Sequence, residues 1–182
     1  MEASKNPPWA ELVQLLPIVS LALPFILSGK VDLSRAGTGL VLGALLTIPV
    51  TAAVLAKKAA LNPILIGTAL WLWTGAVAFS VPLPELRAAL VEVQGFGLFA
   101  FVFATGIVTL LLSPRGFIGC QHPDPAFVRK ASLGLLALAF LALGWSWAFR
   151  HDIRVGGGLP FIVLNVVRRA VILRASRRYH PA

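Results

Sequence analysis

The sequence predicts an all-α fold, a multi-pass membrane bundle of six transmembrane helices that forms one domain over residues 1–182. Composition is the first reason, because 58% of the residues are hydrophobic and 13% are charged, whereas ordinary soluble domains have roughly 45–50% and about 25%. The second reason is that the charged residues leave five uncharged windows, each long enough for a membrane helix of about 20 apolar residues. The windows lack alternating polarity, which argues against a closed barrel.

The first predicted helix covers residues 12–27. The preceding segment carries Glu2 and Glu11 and has no basic leader, and no small-residue cleavage site follows the apolar run. A cleaved signal peptide needs a basic leader and a cleavage site of small residues. We therefore expect a retained membrane helix.

The second predicted helix covers residues 37–56 and has Pro49 near its centre. Proline lacks a backbone N–H, so it leaves a carbonyl of the preceding turn without its usual partner. Hydroxyl side chains can satisfy such a carbonyl inside a membrane. Thr47 and Thr51 are placed to do so.

The third and fourth predicted helices cover residues 63–81 and 93–112. The pair Asn62-Pro63 is a helix-start signal, because asparagine caps well and proline suits the first turn. Pro84 offers a similar start for a helical segment ahead of the fourth span. The connection between these helices is short, so we expect them to be antiparallel neighbours.

The fifth and sixth predicted helices cover residues 131–149 and 159–173. The sixth is short, because the glycines at 156–158 precede it and Arg168 interrupts its apolar run. We expect a re-entry turn at the glycines and a short span. The alternative is five spans plus a C-terminal helix on the membrane surface, although its arginines are scattered around the helix axis.

Lysine and arginine set the orientation, because basic loops stay on the cytoplasmic side. Six crossings with a cytoplasmic N-terminus place eleven of the sixteen basic residues inside. The alternative topology has five crossings and an external N-terminus. The sequence therefore predicts a bacterial inner-membrane protein with both termini in the cytoplasm.

The net charge of +9 does not indicate nucleic acid, because the bases form short clusters between apolar runs. We expect membrane lipids as partners, together with a membrane-protein partner or further copies of the chain. The C-terminal arginines are predicted to anchor the topology or to bind anionic lipid headgroups; they are Arg168, Arg169, Arg174, Arg177 and Arg178.

The segment CQHPDP brings Cys120, His122 and Asp124 close together in the longest predicted loop. These residue types all bind metals, but a structural zinc site usually needs four ligands. Nucleophilic catalysis would need an orienting third group and a sheltered pocket. We predict a polar turn, with no metal and no cofactor.

Two polar residues near the start of the fourth span, Glu92 and Gln94, are the candidates for an intramembrane polar site. An ionisable group inside a membrane serves transport or proton relay, whereas one at the interface needs no such role. Glu92 precedes the apolar run directly, which favours the interface.

An aromatic set is predicted near the middle of the membrane, where tryptophan is unusual. It could line a pocket for a quinone, a carotenoid or a lipid tail, or it could simply pack in the core. The set consists of Trp71, Trp73, Phe96, Phe99 and Phe103.

Three functions follow from these features. The favoured one is a structural or accessory protein without a catalytic site. The second is a carrier or channel for a small apolar or lipid-like molecule. The third is a membrane enzyme that uses the loop from Cys120 to Asp124.

Overall fold

The computed structural model describes residues 13–19, 33–57, 59–82, 84–120, 122–150, 152 and 154–179, and the side chains of 33–36, 94 and 176–179 are outside that description. Within this part of the chain every regular element is helical, so the predicted all-α fold is confirmed. The elements are α1 (Leu33–Ala56), α2 (Pro63–Ser80), α3 (Pro84–Leu112), α4 (Pro125–Ala148), a π-helical turn (Arg154–Gly158) and α5 (Leu159–Tyr179).

Five segments among the described residues are long and apolar enough to cross a membrane. They confirm a multi-pass membrane protein, and they are Gly37–Ala56, Pro63–Ser80, Gly95–Leu112, Pro125–Ala148 and Arg154–Ala175. The first predicted helix, 12–27, lies mostly outside the described residues. Its described part is helical at residues 16–19.

Several helix boundaries differ from the prediction, and α1 begins at Leu33 rather than at 37. Helix α4 begins at Pro125 rather than at 131, because a side-chain oxygen of Asp124 accepts a hydrogen bond from the backbone N–H of Ala126 and caps the helix. Proline in the first turn suits that start. Helix α5 continues to Tyr179 rather than ending at 173, so the arginine-rich tail prolongs the last helix.

The chain folds as two compact units. The helix-pair unit contains α1 and the parts of α2 and α3 within Thr68–Glu92. The three-helix unit contains Asn62–Gly67, at the start of α2, and the chain from Val93 onward, with most of α3, all of α4 and α5. The division passes through α2 and α3, so each of these helices contributes to both units.

In the helix-pair unit, glycines bring α1 and α2 close together. A Cβ added to Gly75 of α2 would lie 2.8 Å from Cδ2 of Leu40, and one added to Gly43 of α1 would lie 3.3 Å from Cδ2 of Leu72. Leu72 is fully buried and packs with Ala44. Small residues permit such an approach of two membrane helices.

The hydroxyl of Thr47 also joins these two helices. It donates to the backbone oxygen of Ala44 at 2.6 Å and accepts a hydrogen bond from Nε1 of Trp73 at 2.9 Å. We expected Thr47 and Thr51 to satisfy the carbonyl that Pro49 frees, which belongs to residue 45. Thr47 instead uses the neighbouring carbonyl and links α1 to α2.

In the three-helix unit, α5 and the turn before it contact the start of the apolar part of α3 and the loop that follows α3. At one end Gly95 of α3 approaches the π-helical turn, where an added Cβ would lie 3.1 Å from the Cα atom of Gly157. At the other end Nε of Arg168 donates to the backbone oxygen of Ile118 at 2.9 Å, in the loop that follows α3. The segment Arg154–Ala175 is long and apolar enough to cross a membrane, and the glycines lie in the π-helical turn at its start. Re-entry into the membrane at this turn stays a prediction.

Candidate functional site

The loop between α3 and α4 is packed into the protein. Gly116 and Gly119 adopt φ angles of 57° and 66°, which glycine tolerates without strain. The turns between them bury Phe117 and Ile118 completely. The backbone N–H of Ile118 donates to the hydroxyl of Ser132 on α4, at 3.3 Å.

Arg168 is buried at the same end of the unit, with 3% of its surface exposed. We expected its side chain to extend to the lipid headgroups, but the carbonyl of Ile118 provides an acceptor inside the protein. The neighbouring Arg169 is exposed, as is Arg174. The side chains of Arg177 and Arg178 lie outside the described part of the chain.

The loop residues Cys120, His122 and Asp124 have different surroundings. His122 accepts a hydrogen bond from the backbone N–H of Asp124 at 3.1 Å, and Asp124 caps α4. Cys120 is half-buried, and burial raises the pKa of its thiol while the charge of Arg168 lowers it. In the described segments, no three His, Cys, Asp or Glu side chains are grouped closely enough to hold a metal ion.

Two asparagines form a polar contact between helices. Nδ2 of Asn62 donates to Oδ1 of Asn165 at 3.3 Å, and Nδ2 of Asn165 donates to the backbone oxygen of Phe161 at 2.9 Å. Oδ1 of Asn62 accepts from the backbone N–H of Ile64, so Asn62 caps α2 as predicted. The contact fixes the start of α2 against the middle of α5.

The predicted aromatic set is divided by the structure. Trp71 and Trp73 lie in the helix-pair unit, where Trp71 is 9% exposed and Trp73 is 38% exposed. The three phenylalanines lie on α3 in the other unit, and Phe99 is fully buried. Their assembly into one pocket with the tryptophans stays a prediction.

The other two phenylalanines contact aromatic rings of α4. The ring centroids of Phe96 and Trp147 are 5.2 Å apart in an edge-on arrangement. Those of Phe103 and Phe140 are 5.7 Å apart. Such pairs add to the packing of α3 against α4.

An open apolar groove of about 580 Å³ lies beside these contacts. A Cβ added to Gly144 would meet no atom within 4 Å, so this glycine keeps part of the groove open. The guanidinium of Arg150 lies 4.7 Å from the centroid of the Trp147 ring. The groove is lined by Phe96, Phe140, Leu141, Leu143, Gly144, Trp145 and Trp147.

Sequence reasoning missed this groove and found one of its lining residues, Phe96. Trp145 and Trp147 have the spacing and position of interfacial tryptophans, which is a general property of membrane helices. In the sequence, the only indication of a site is that these tryptophans lie between Gly144 and Arg150. The contribution of Phe96 on α3 to the groove can be identified only when the pairing of α3 with α4 is known.

The remaining polar candidates lie at the start of the α3 span. Glu92 is exposed, which agrees with a carboxylate at the membrane interface. The side chain of Gln94 lies outside the described part of the chain. A role for either residue in proton transfer stays a prediction.

Comparison of the chain with protein-family models, with curated proteins and with solved structures finds no match.

Proposed function

We propose that the chain is a structural or accessory protein of the bacterial inner membrane, which packs against lipids and against a membrane-protein partner or further copies of itself. The exposed faces of its helices support this proposal most directly. Each candidate span buries between 28% and 50% of its residues within the chain. At least half of the residues in each of these stretches are therefore exposed or half-buried.

The polar side chains of the spans also support a structural role. Trp73 bonds to Thr47 between α1 and α2, and Asn62 bonds to Asn165. Ser146 donates to the backbone oxygen of Gly156 at the π-helical turn. Hydrogen bonds of this kind hold membrane helices together. The same polar groups could otherwise bind a transported substrate, but here they bond within the protein.

Photocrosslinking tests the proposal. A benzophenone amino acid is placed at Leu45 or at Val166, which are 53% and 60% exposed, and at the fully buried Leu72 as the control. Irradiation of native membranes should give a protein adduct of one discrete mass from at least one exposed position and none from Leu72. Adducts with lipid alone at both exposed positions would contradict an accessory role and favour a carrier.

The proposal includes the orientation with both termini in the cytoplasm. Arg115, Arg129 and Lys130 lie in or directly after the loop between α3 and α4, at the end where Arg168 is buried. The positive-inside rule favours placing this end in the cytoplasm. The π-helical turn, which begins at Arg154, would then face the outside.

Cysteine labelling tests this orientation, because Cys120 is the single cysteine of the chain. Cys120→Ser provides the background for Asp152→Cys and Lys130→Cys, both at exposed positions. A membrane-impermeant maleimide should label residue 152 in spheroplasts, and residue 130 only after permeabilisation. The reverse pattern would contradict the proposed orientation.

A carrier of a lipid-like molecule is the second candidate, and the groove between α3 and α4 favours it. The predicted alternative of an enzyme has less support, because His122 and Asp124 serve the turn and the helix cap. Cys120→Ser combined with His122→Ala should therefore leave the protein level and any growth phenotype unchanged. Loss of function at a normal protein level would favour the enzyme.

A further inference from the structure

The groove between α3 and α4 is apolar, and a cation lies over one of the rings that line it. Its volume of about 580 Å³ lies within the range of about 300–1,000 Å³ that is usual for small-molecule sites. Its lining is almost entirely hydrophobic and aromatic, and it is open on one side. Arg150 follows α4 and its guanidinium lies over the ring of Trp147, a residue that lines the groove.

The position of the groove along α4 indicates an amphipathic ligand. Phe140 lies deeper in the span, whereas Trp145 and Trp147 lie in the last turn of the helix, close to the membrane interface. Nε1 of Trp145 donates to the backbone oxygen of Val155, so the indole is fixed by the protein itself. A ligand of the groove would have its apolar part in the membrane and its polar part beside Arg150.

The charge at this end favours an anionic ligand. Arg150 and Arg154 lie on the side that the proposed orientation makes external, where basic residues oppose the positive-inside bias. A phosphate offers the guanidinium a charge-assisted hydrogen bond. A choline headgroup would bring a second cation towards the arginine.

We propose that the groove binds one anionic phospholipid, with an acyl chain along Phe96, Phe140 and Gly144 and the phosphate beside Arg150. The inference rests on the proposed membrane function and names its lipid partner. A phospholipid suits the groove because its lining is apolar and the guanidinium of Arg150 lies over the ring of Trp147, which lines it. Phosphatidylglycerol is the simplest probe of this chemistry.

Native mass spectrometry of the purified full-length chain tests the proposal. The chain in detergent is titrated with phosphatidylglycerol or with phosphatidylcholine of the same acyl composition. We expect one phosphatidylglycerol to be retained in preference to phosphatidylcholine. Equal retention of the two lipids by the wild-type chain would overturn the proposal.

Two substitutions separate the parts of the site. Gly144→Leu fills the groove, where the protein itself leaves room for the side chain, and should weaken phosphatidylglycerol binding about tenfold or more. Arg150→Gln removes the charge and should lower the preference for phosphatidylglycerol by about tenfold, while binding of the acyl chain persists. Leu141→Trp narrows the groove from an exposed position and replaces Gly144→Leu if that variant does not fold.

Matched controls lie on the same helix. Gly134→Leu adds the same side chain at a glycine that also has no atom within 4 Å of its added Cβ but lies away from the groove. Lys130→Gln removes a charge at the opposite end of α4. Both controls should bind phosphatidylglycerol as the wild type does, and an equal loss in the controls would overturn the site.

The outcome is independent of the crosslinking experiment. Loss of binding in Gly144→Leu, together with lipid adducts alone at Leu45 and Val166, would retain the lipid site and reject the accessory role. Protein adducts together with unchanged binding in the groove variants would reject the lipid site alone.

Discussion

Two regions of the molecule are held together in different ways: the contact between α1 and α2, and the loop and π-helical turn of the three-helix unit. In the helix-pair unit, α1 and α2 meet through glycines and alanines, as at Gly75, which faces Leu40, and at Ala44, which packs with Leu72. In the three-helix unit, side chains bond to the backbone of turns and loops, as Arg168 does to Ile118. Ser146 and Trp145 do the same at the π-helical turn.

This difference follows from the membrane as a solvent. Lipid is as apolar as a leucine side chain, so helices in a bilayer gain little from burying apolar surface against each other. Close packing of small residues and interhelical hydrogen bonds remain as the sources of affinity. The contact between α1 and α2 relies mainly on packing, with one hydrogen bond from Trp73 to Thr47. The buried loop and the π-helical turn of the three-helix unit have backbone groups that need partners, and so does the end of α2, where Arg87 donates to the backbone oxygens of Ala78, Phe79 and Val81.

The largest effect is expected in the helix-pair unit, from the two tryptophans of α2. Trp71→Ala removes a side chain that is 9% exposed, and large-to-small changes of buried aromatics cost about 3–5 kcal/mol. Trp73→Ala removes a more exposed side chain and one hydrogen bond to Thr47, which is worth about 0.5–1.5 kcal/mol. Thermal unfolding in detergent micelles measures the difference.

Equal losses for the two variants would mean that the indole bond to Thr47 matters as much as burial. The contact between α1 and α2 would then depend on a polar bond as much as on packing, and its contrast with the loop of the other unit would fail.

The next effect compares two glycines of α2, one in each unit. A Cβ at Gly67 would lie 2.6 Å from the Cα atom of Val102, which is backbone and cannot move alone. A Cβ at Gly75 would meet the flexible end of Leu40. Gly67→Ala should therefore lower the free energy of unfolding by about 3 kcal/mol, at the upper end of overpacking costs, and Gly75→Ala by less. The same unfolding assay ranks them, and a larger loss at Gly75 would contradict the packing of α2 against α3.

The fold was largely predictable from the sequence, and the reasons are physical. An uncharged stretch long enough to cross a membrane predicts a spanning helix. The apolar parts of α1, α2 and α3 accordingly lie where they were expected. Asn62 and Pro63 marked the start of α2 correctly. The start of α4 was missed because a proline-rich polar segment resembles a turn until the cap at Asp124 is seen.

The candidate site was less predictable, because it depends on which side chains of different helices meet. Arg168 has the sequence environment of a headgroup anchor, and its burial depends on a carbonyl that lies 50 residues earlier in the chain. Phe96 was found as part of a stripe of helical spacing. Its partner Trp147 follows only from the pairing of α3 with α4.

A smaller loss is expected from Arg168→Met, which breaks the polar contact of the loop. Leaving the buried carbonyl of Ile118 without its partner costs about 1–3 kcal/mol. Removing a buried charge offsets part of that cost, so a net loss of about 1 kcal/mol is expected. Arg174→Met is the matched control at an exposed position of the same helix and should leave stability unchanged. Equal behaviour of the two variants would show that the loop does not depend on Arg168.

The smallest effect concerns the thiol of Cys120, which reports whether the loop is packed in solution. Burial raises its pKa, and the charge of Arg168 opposes that shift only in part. Its reaction with N-ethylmaleimide should therefore have a midpoint at a higher pH than that of an exposed thiol in the same loop, provided by Pro123→Cys in the Cys120→Ser background. Because the folded state retains the thiol proton to a higher pH than the unfolded state, alkaline pH should also slightly lower the free energy of unfolding. The midpoint is the decisive measurement, since restricted access slows labelling at every pH without moving it. Coincident midpoints for residues 120 and 123 would mean that the loop is open to water, and the contrast between the two regions would then rest on the π-helical turn and the Asn62 contact alone.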